Sequence, residues 1–218
     1  MTSPVPILSV QCGKVRSFQG PDKPSAIAKV PVDGPVRVHR LGLAGDEQAD
    51  LTVHGGPDKA IHHYAHDHYG FWSEVLGDHP LLLDYGAFGE NISTHAMTEE
   101  TVCIGDRYRL GTALVEVSQG RQPCWKLDHR FGGLPVNARM VKARRAGWYY
   151  RVLEEGEVGA GDAITLLERP HGEWTVSRTF GLLVAGDHKR DREGLEALGA
   201  LDVLAEPWKA RRAKLLGI

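Results

Sequence analysis

The chain has 218 residues, with 26 Lys and Arg against 28 Asp and Glu, a net charge of −2 and 42% hydrophobic residues. This composition suits one large domain, or one domain with a small appendage. It gives no basic excess to expect nucleic acid and no run of about 18 apolar residues to cross a membrane.

The N-terminus, Met1 to Pro6, lacks a basic region followed by an apolar stretch, so no signal peptide is expected. Ile7 to Phe18 is rich in β-formers and ends before a Gly-Pro loop. Val36 to Leu43 is a second predicted strand, ending at Gly45-Asp46. Lys59 to Tyr64, after Gly55-Gly56-Pro57, is predicted as a short strand, and Asp67 to Leu76 as a helix stopped by Gly77. The helix would carry Tyr69, Trp72, Val75 and Leu76 on one side. The pattern Val-x-x-Gly-Asp-x-x-x-Leu occurs at Val102 to Leu110 and again at Val158 to Leu166. Each copy reads as a tight turn feeding an alternating strand. Gly111-Thr112 is a predicted hairpin turn into Leu114 to Ser118, and Pro135 to Arg145 a further helix. Many short strands with glycine-rich turns suggest a closed or nearly closed barrel.

Composition changes after Glu168. Arg169-Pro170-His171-Gly172 reads as a boundary, dividing a barrel domain, 1–168, from a three-helix domain, 169–218. The predicted helices are Ser177 to Val184, Arg192 to Leu201 and Pro207 to Leu216, with Asp191 as an N-cap and Pro207 in a first turn. The outline resembles a helix-turn-helix, but mixed charge argues against DNA binding. The expected class is mixed α/β, β-barrel-rich.

The most informative segment is Arg121-Gln122-Pro123-Cys124-Trp125-Lys126. From Arg121 to Arg151 the basic residues Arg121, Lys126, Arg130, Arg139, Lys142, Arg144, Arg145 and Arg151 stand against one acid, Asp128. A basic block in a neutral chain points to an anionic ligand. Cations also favour a thiolate, the form that attacks or binds metal. A lone cysteine is otherwise most often a small buried hydrophobe, and Cys12 and Cys103, inside strand-like runs, are read so. The three cysteines are odd in number and far apart, with no C-x-x-C pair. They predict a reducing compartment, the cytoplasm, rather than a disulfide scaffold or structural zinc.

Five of eleven histidines fall between His54 and His68. Their spacing matches no zinc helix. His62 and His63 are adjacent, so on a strand they face opposite ways and one at most meets a pocket. His66 and His68 read as solvated helix residues, and His54 as fixed by the turn that follows it. Asp46 positions a carboxylate or caps a turn. Glu90 and Asn91 follow the glycine-flanked loop Gly86-Ala87-Phe88-Gly89, where backbone N–H groups can approach an anion. No nucleotide-phosphate motif or G-x-S-x-G elbow occurs.

Four segments in order resemble a MOSC domain, named for the C-terminal domain of molybdenum-cofactor sulfurases. They are Gly42 to Asp50, His54 to Ala60, Phe88-Gly89-Glu90-Asn91-Ile92 and Gly120-Arg121-Gln122-Pro123-Cys124. With the helical tail the arrangement resembles the YiiM branch, the hydroxylaminopurine-resistance type, over nearly the whole chain. The resemblance implies a β-barrel that binds the molybdenum cofactor, Mo-molybdopterin, with Cys124 as the metal ligand. It implies reduction of N-hydroxylated bases or related N-hydroxy compounds to amines.

Electrons would come from a separate flavin or iron–sulfur protein, since the chain has no cysteine set for a cluster. The tail is a candidate docking surface for it. On this reading Arg121 and Lys126 contact phosphate or pterin, and Glu90 and Asn91 orient the pterin. Asp46 joins the cofactor contacts, and His54, Lys59 and His63 are pocket residues or proton donors. The barrel edge and the tail are the surfaces open to a homodimer. Competing readings are a non-catalytic cofactor carrier, a Cys124 persulfide carrier and, last, a metal-free hydrolase.

Overall fold

The structure is a computed structural model, which describes residues 3–18, 23–50 and 55–218. Seven strands close a barrel: β1 (Val5–Cys12), β2 (Ile61–Ala65), β3 (Ile92–Thr94), β4 (Arg107–Leu110), β5 (Ala113–Gly120), β6 (Trp148–Glu154) and β7 (Ala163–Glu168). Around the barrel the order is β7-β4-β5-β6-β2-β3-β1, and β1 returns to β7 through Val5↔Ile164. Only β2 and β3 are parallel. Val36–His39, Gly42–Leu43 and Gly156–Val158 make a small three-stranded sheet beside it.

Period-two alternation sends one face of each strand inward. In β6, Trp148, Tyr150 and Val152 are buried and the residues between them are not fully so. Closure leaves the seven-strand circle without a free edge. The repeated Gly-Asp turn is real. Asp106 Oδ2 accepts from Cys103 N at 2.9 Å, and Asp162 Oδ2 accepts from Gly159 N at 2.8 Å. Gly105 and Gly161 take φ of 83° and 90°, conformations that glycine adopts without strain. The strands these turns launch, β4 and β7, are barrel neighbours. Gly111-Thr112 joins β4 to β5 as the expected hairpin.

Helices α1 (His68–Leu76), α2 (Trp125–Arg130) and α3 (Val136–Ala143) connect barrel strands. Beyond the barrel lie α4 (Val176–Phe180), α5 (Arg192–Ala197) and α6 (Glu206–Leu216). The α4 segment was expected as one helix to Val184; it changes to a π turn over Gly181–Ala185. α5 likewise tightens to a 3-10 turn at Leu198–Ala200. Asp191 caps α5 by accepting from Gly194 N at 2.7 Å. The tail is stitched to the barrel. Ala205 N donates to Ser118 O at 3.1 Å, Val176 N donates to Val102 O at 2.8 Å, and buried Trp208 sits on Gly120.

Several histidines and cysteines depart from expectation. His68 is buried, not solvated, with Nε2 2.6 Å from Glu99 Oε2. Cys103 is buried, but Cys12, at the end of β1, is only half-buried. His63 points into the barrel, stacked on Trp148 and bonded to Tyr150 Oη at 3.0 Å and Thr94 Oγ1 at 2.9 Å.

Burial pushes the His63 pKa from its ordinary 6.5 down to about 3, and burial first, then the Arg121 charge, lowers that of His62. The unfolded chain takes up these protons below about 6.5 and the folded one does not, so stability falls as pH drops through this window. The urea midpoint is expected to fall between pH 7 and 5, above the main carboxylate titration. A flat midpoint would contradict buried neutral rings at these positions.

Candidate functional site

A cavity opens where the outer faces of β2 and β6 meet the loops after β1, Leu43 and β5. Cys124, Arg121, Gln122 and Lys126 come from the segment that leaves β5; His62 and Tyr149 come from paired strands. The register explains the last two. Tyr149 pairs with His62, and both neighbours of Tyr149 face the barrel interior, so Tyr149 and His62 face out together. The cavity histidine is therefore His62, and His63, expected there as a proton donor, is not in it.

Asp46 organises one wall. Its carboxylate accepts from Gly13 N at 2.7 Å, from Lys29 Nζ at 2.5 Å and from Asn91 Nδ2 at 2.9 Å. The Lys29 and Asp46 side chains are 9% and 4% exposed, which makes this a buried ion pair. Asn91 extends the network. Its Oδ1 accepts from His62 N at 3.0 Å, and its Nδ2 also donates to Gln11 O at 3.0 Å. Every polar atom of the Asn91 amide is thus committed to holding β1, β2 and the Asp46 loop together.

Glu90 does not line the cavity. It is buried and accepts from Tyr69 Oη at 2.6 Å, Gly86 N at 2.8 Å and Phe88 N at 3.0 Å. Arg130 clamps the same loop from outside, donating to Ala87 O and Gly86 O. Phe88 stacks between Tyr64 and Phe131. Glu90 therefore shapes the 86–90 loop, and Gly89 of that loop is what reaches the cavity wall. Gly89 has φ of 77°, and a Cβ there would meet Ile27 Cγ1 at 2.7 Å, so the close approach needs glycine.

The basic block separates in space. Arg121 and Lys126 line the cavity. Arg139 instead bonds Val75 O, Arg144 pairs with Asp187, Arg145 lies over Phe71, and Arg151 pairs with Asp58 and Glu116. Two cations outside the block, Lys29 and Lys59, complete the lining. Lys29 is neutralised by Asp46, and Glu47, on the same wall, is drawn off by Lys14 at 3.0 Å. The acceptors that Arg121 and Lys126 meet are neutral: Phe88 O and Met140 Sδ for the first, Pro24 O for the second. The cavity thus keeps a positive surplus.

Burial lowers the Lys59 pKa against the opposing charges of Asp58 and Asp50. Burial likewise raises that of Tyr149, with Arg121 opposing, so its hydroxyl stays protonated. His54, predicted at this site, lies outside the described residues.

Lys29 and Tyr149 escaped the sequence reading, and of the adjacent pair His62 and His63 it assigned the pocket role to His63. Alternation along β6 marks Tyr149, and the register of β2 against β6 then selects His62. Lys29 sits in an irregular segment with no motif, and nothing local marks it.

Among the described residues no three His, Cys, Asp or Glu converge on one point. Half-buried Cys124 is the one thiol in the lining that could hold a metal, and a bound molecule could supply further ligands. The cationic walls suit a molecule that carries phosphate.

Comparison with known proteins identifies the family and the fold. The sequence profile of the MOSC domain matches residues 50–165. Protein YiiM of Escherichia coli is 43% identical over 162 residues, covering 74% of this chain and 72% of that protein. A protein of Gibberella moniliformis named "Reductase" is 44% identical over 181 residues. That match covers 80% of this chain but 32% of the relative, so the chain spans about a third of its length. The crystal structure of YiiM from Geobacillus stearothermophilus superposes with a TM-score of 0.81 at 32% identity, covering 98% of this chain and 100% of that one.

Proposed function

The chain belongs to the MOSC domain family, and on that premise we propose that it binds the molybdenum cofactor and reduces N-hydroxylated bases or related N-hydroxy compounds to amines. The observation that carries this reading is Cys124, a half-buried thiol on the wall of a cation-lined cavity where the described residues offer no group of three His, Cys, Asp or Glu to hold a metal. The donor set fits the group. Thiolate is a soft ligand for the metal, and Arg121 and Lys126 offer charge-assisted bonds to a phosphate. Asn91 and Asp46, which line the wall, would help hold the pterin.

When bound, the cofactor supplies two-electron chemistry at the metal, and the protein supplies ligand, orientation and protons. Breaking the N–O bond consumes two electrons and two protons and releases water. The electrons come from a separate flavin or iron–sulfur protein. Lys59 is the proton donor we assign, because it lines the cavity with Cys124 and burial lowers its pKa from the ordinary value. Tyr149 keeps its proton and serves as a hydrogen-bond donor. Glu90 and His63 act on the site through the fold.

The test is turnover of an N-hydroxylated purine with a reduced viologen as electron donor. The cofactor-loaded protein is expected to form the amine. Its rate should fall at alkaline pH as Lys59 deprotonates, and Lys59→Gln should be slow and lose that limb. A loaded protein that forms no amine would favour a carrier. A sulfur mass gain on Cys124 without molybdenum would favour the persulfide reading.

A further inference from the structure

Cys124 lies on the boundary between two cavities. The second shares Lys59, Gln122 and Tyr149 with the first, and its far wall is the tail helix α6, through Trp208 and Arg211. The phosphate-suited pair Arg121 and Lys126 belongs to the first cavity alone. A cofactor held by that pair would occupy the first cavity and leave the second, which Cys124 also lines, to another ligand.

Three features of the second cavity define a ligand. Arg211 Nε donates to Leu183 O of the π turn, which fixes the guanidinium at one corner. No carboxylate pairs with Arg211 among the described residues. The rest of its planar fork suits a carboxylate or phosphate. Gln119, on the same wall, is buried, and its Oε1 meets no donor among the described residues. It lacks an N–H partner, and a buried acceptor without one is costly. Trp208, itself buried, anchors the α6 wall of the cavity to the barrel. A Cβ on Gly120 would stand 2.8 Å from its indole, so α6 is held against the barrel at close range.

We infer that this second cavity is the substrate compartment, and that Arg211 makes it prefer N-hydroxylated ring compounds bearing a carboxylate or phosphate over uncharged ones. For the reaction the inference rests on the function proposed above; for binding it does not. The tail then completes the site, and Arg211 determines specificity through a charge-assisted bond formed only with anionic substrates.

Two measurements test it. The first uses full-length protein without cofactor and compares 4-carboxybenzamide with benzamide by calorimetry. The carboxylated probe is expected to bind about tenfold tighter, the scale of one charge-assisted hydrogen bond. Arg211→Gln should remove that preference and Arg211→Lys retain part of it. Equal affinities in the wild type, or a preference that survives Arg211→Gln, would overturn the inference.

The second uses loaded protein and the ratio of kcat/KM for 4-carboxybenzamidoxime over benzamidoxime. That ratio is expected to drop about tenfold in Arg211→Gln, and an unchanged ratio would overturn the inference. Should loaded protein reduce neither compound while the Arg211-dependent binding preference holds, the compartment stands and the reductase reading fails.

Discussion

Replacing Cys124 by Ala is expected to abolish N-hydroxy reduction and to strip the metal while leaving the fold in place. The thiol is half-buried on a cavity wall rather than packed in the core, so its loss should cost no more than about 1 kcal/mol of stability. The effect on activity is of another order. Among the described residues no group of three His, Cys, Asp or Glu converges to hold the metal instead. The other thiols do not serve. Burial pushes the Cys12 and Cys103 pKa values up to about 11, so both stay protonated near neutral pH. Unfolding curves, molybdenum content and turnover on the same preparation separate the outcomes. A Cys124→Ala protein with full reductase activity would sink the assignment.

Asp46→Ala is expected to have the largest effect on stability, about 3–5 kcal/mol, the cost of removing one partner of a buried ion pair. The substitution leaves Lys29, 9% exposed, without its counter-charge. It also removes the acceptor for Gly13 N and one of the Asn91 bonds that set the cavity wall. Asp46→Asn should be milder, since it can still accept from Gly13 N. Denaturant unfolding of the two variants checks this. A loss below about 1 kcal/mol for Asp46→Ala would mean that the pair is solvated and does not hold the cavity wall in place.

Much of the barrel was legible from residues that act locally. Gly105-Asp106 and Gly161-Asp162 announce their turns because a glycine with positive φ and a short carboxylate that caps its own turn are chemical requirements of that geometry. Gly111-Thr112 and Gly77 are legible for similar reasons. The Cys124 segment stands out because charge density is written along the chain. Other features depend on pairing distant in sequence. Which of His62 and His63 faces the cavity follows from the register of β2 against β6 and from which face of β6 fills the barrel, and adjacency alone does not decide it.

The dispersal of the basic block has the same origin. Arg139, Arg144 and Arg151 find acceptors on α1, the tail and the Asp58 turn, none of them near in sequence. Glu90 reads as a pocket carboxylate beside Asn91, yet the two side chains do opposite jobs. Asn91 turns to Asp46, and Glu90 turns inward to close its own loop.

On the proposed function, this cavity holds a molybdenum cofactor through Cys124. The most direct measurement is elemental analysis together with released-pterin fluorescence, on wild type and Cys124→Ala made in a host that synthesises the cofactor. Near-stoichiometric molybdenum with pterin in the wild type, and loss of molybdenum in the variant, is the predicted result. Neither molybdenum nor pterin in the wild type, from a host in which a known cofactor protein loads normally, would contradict it.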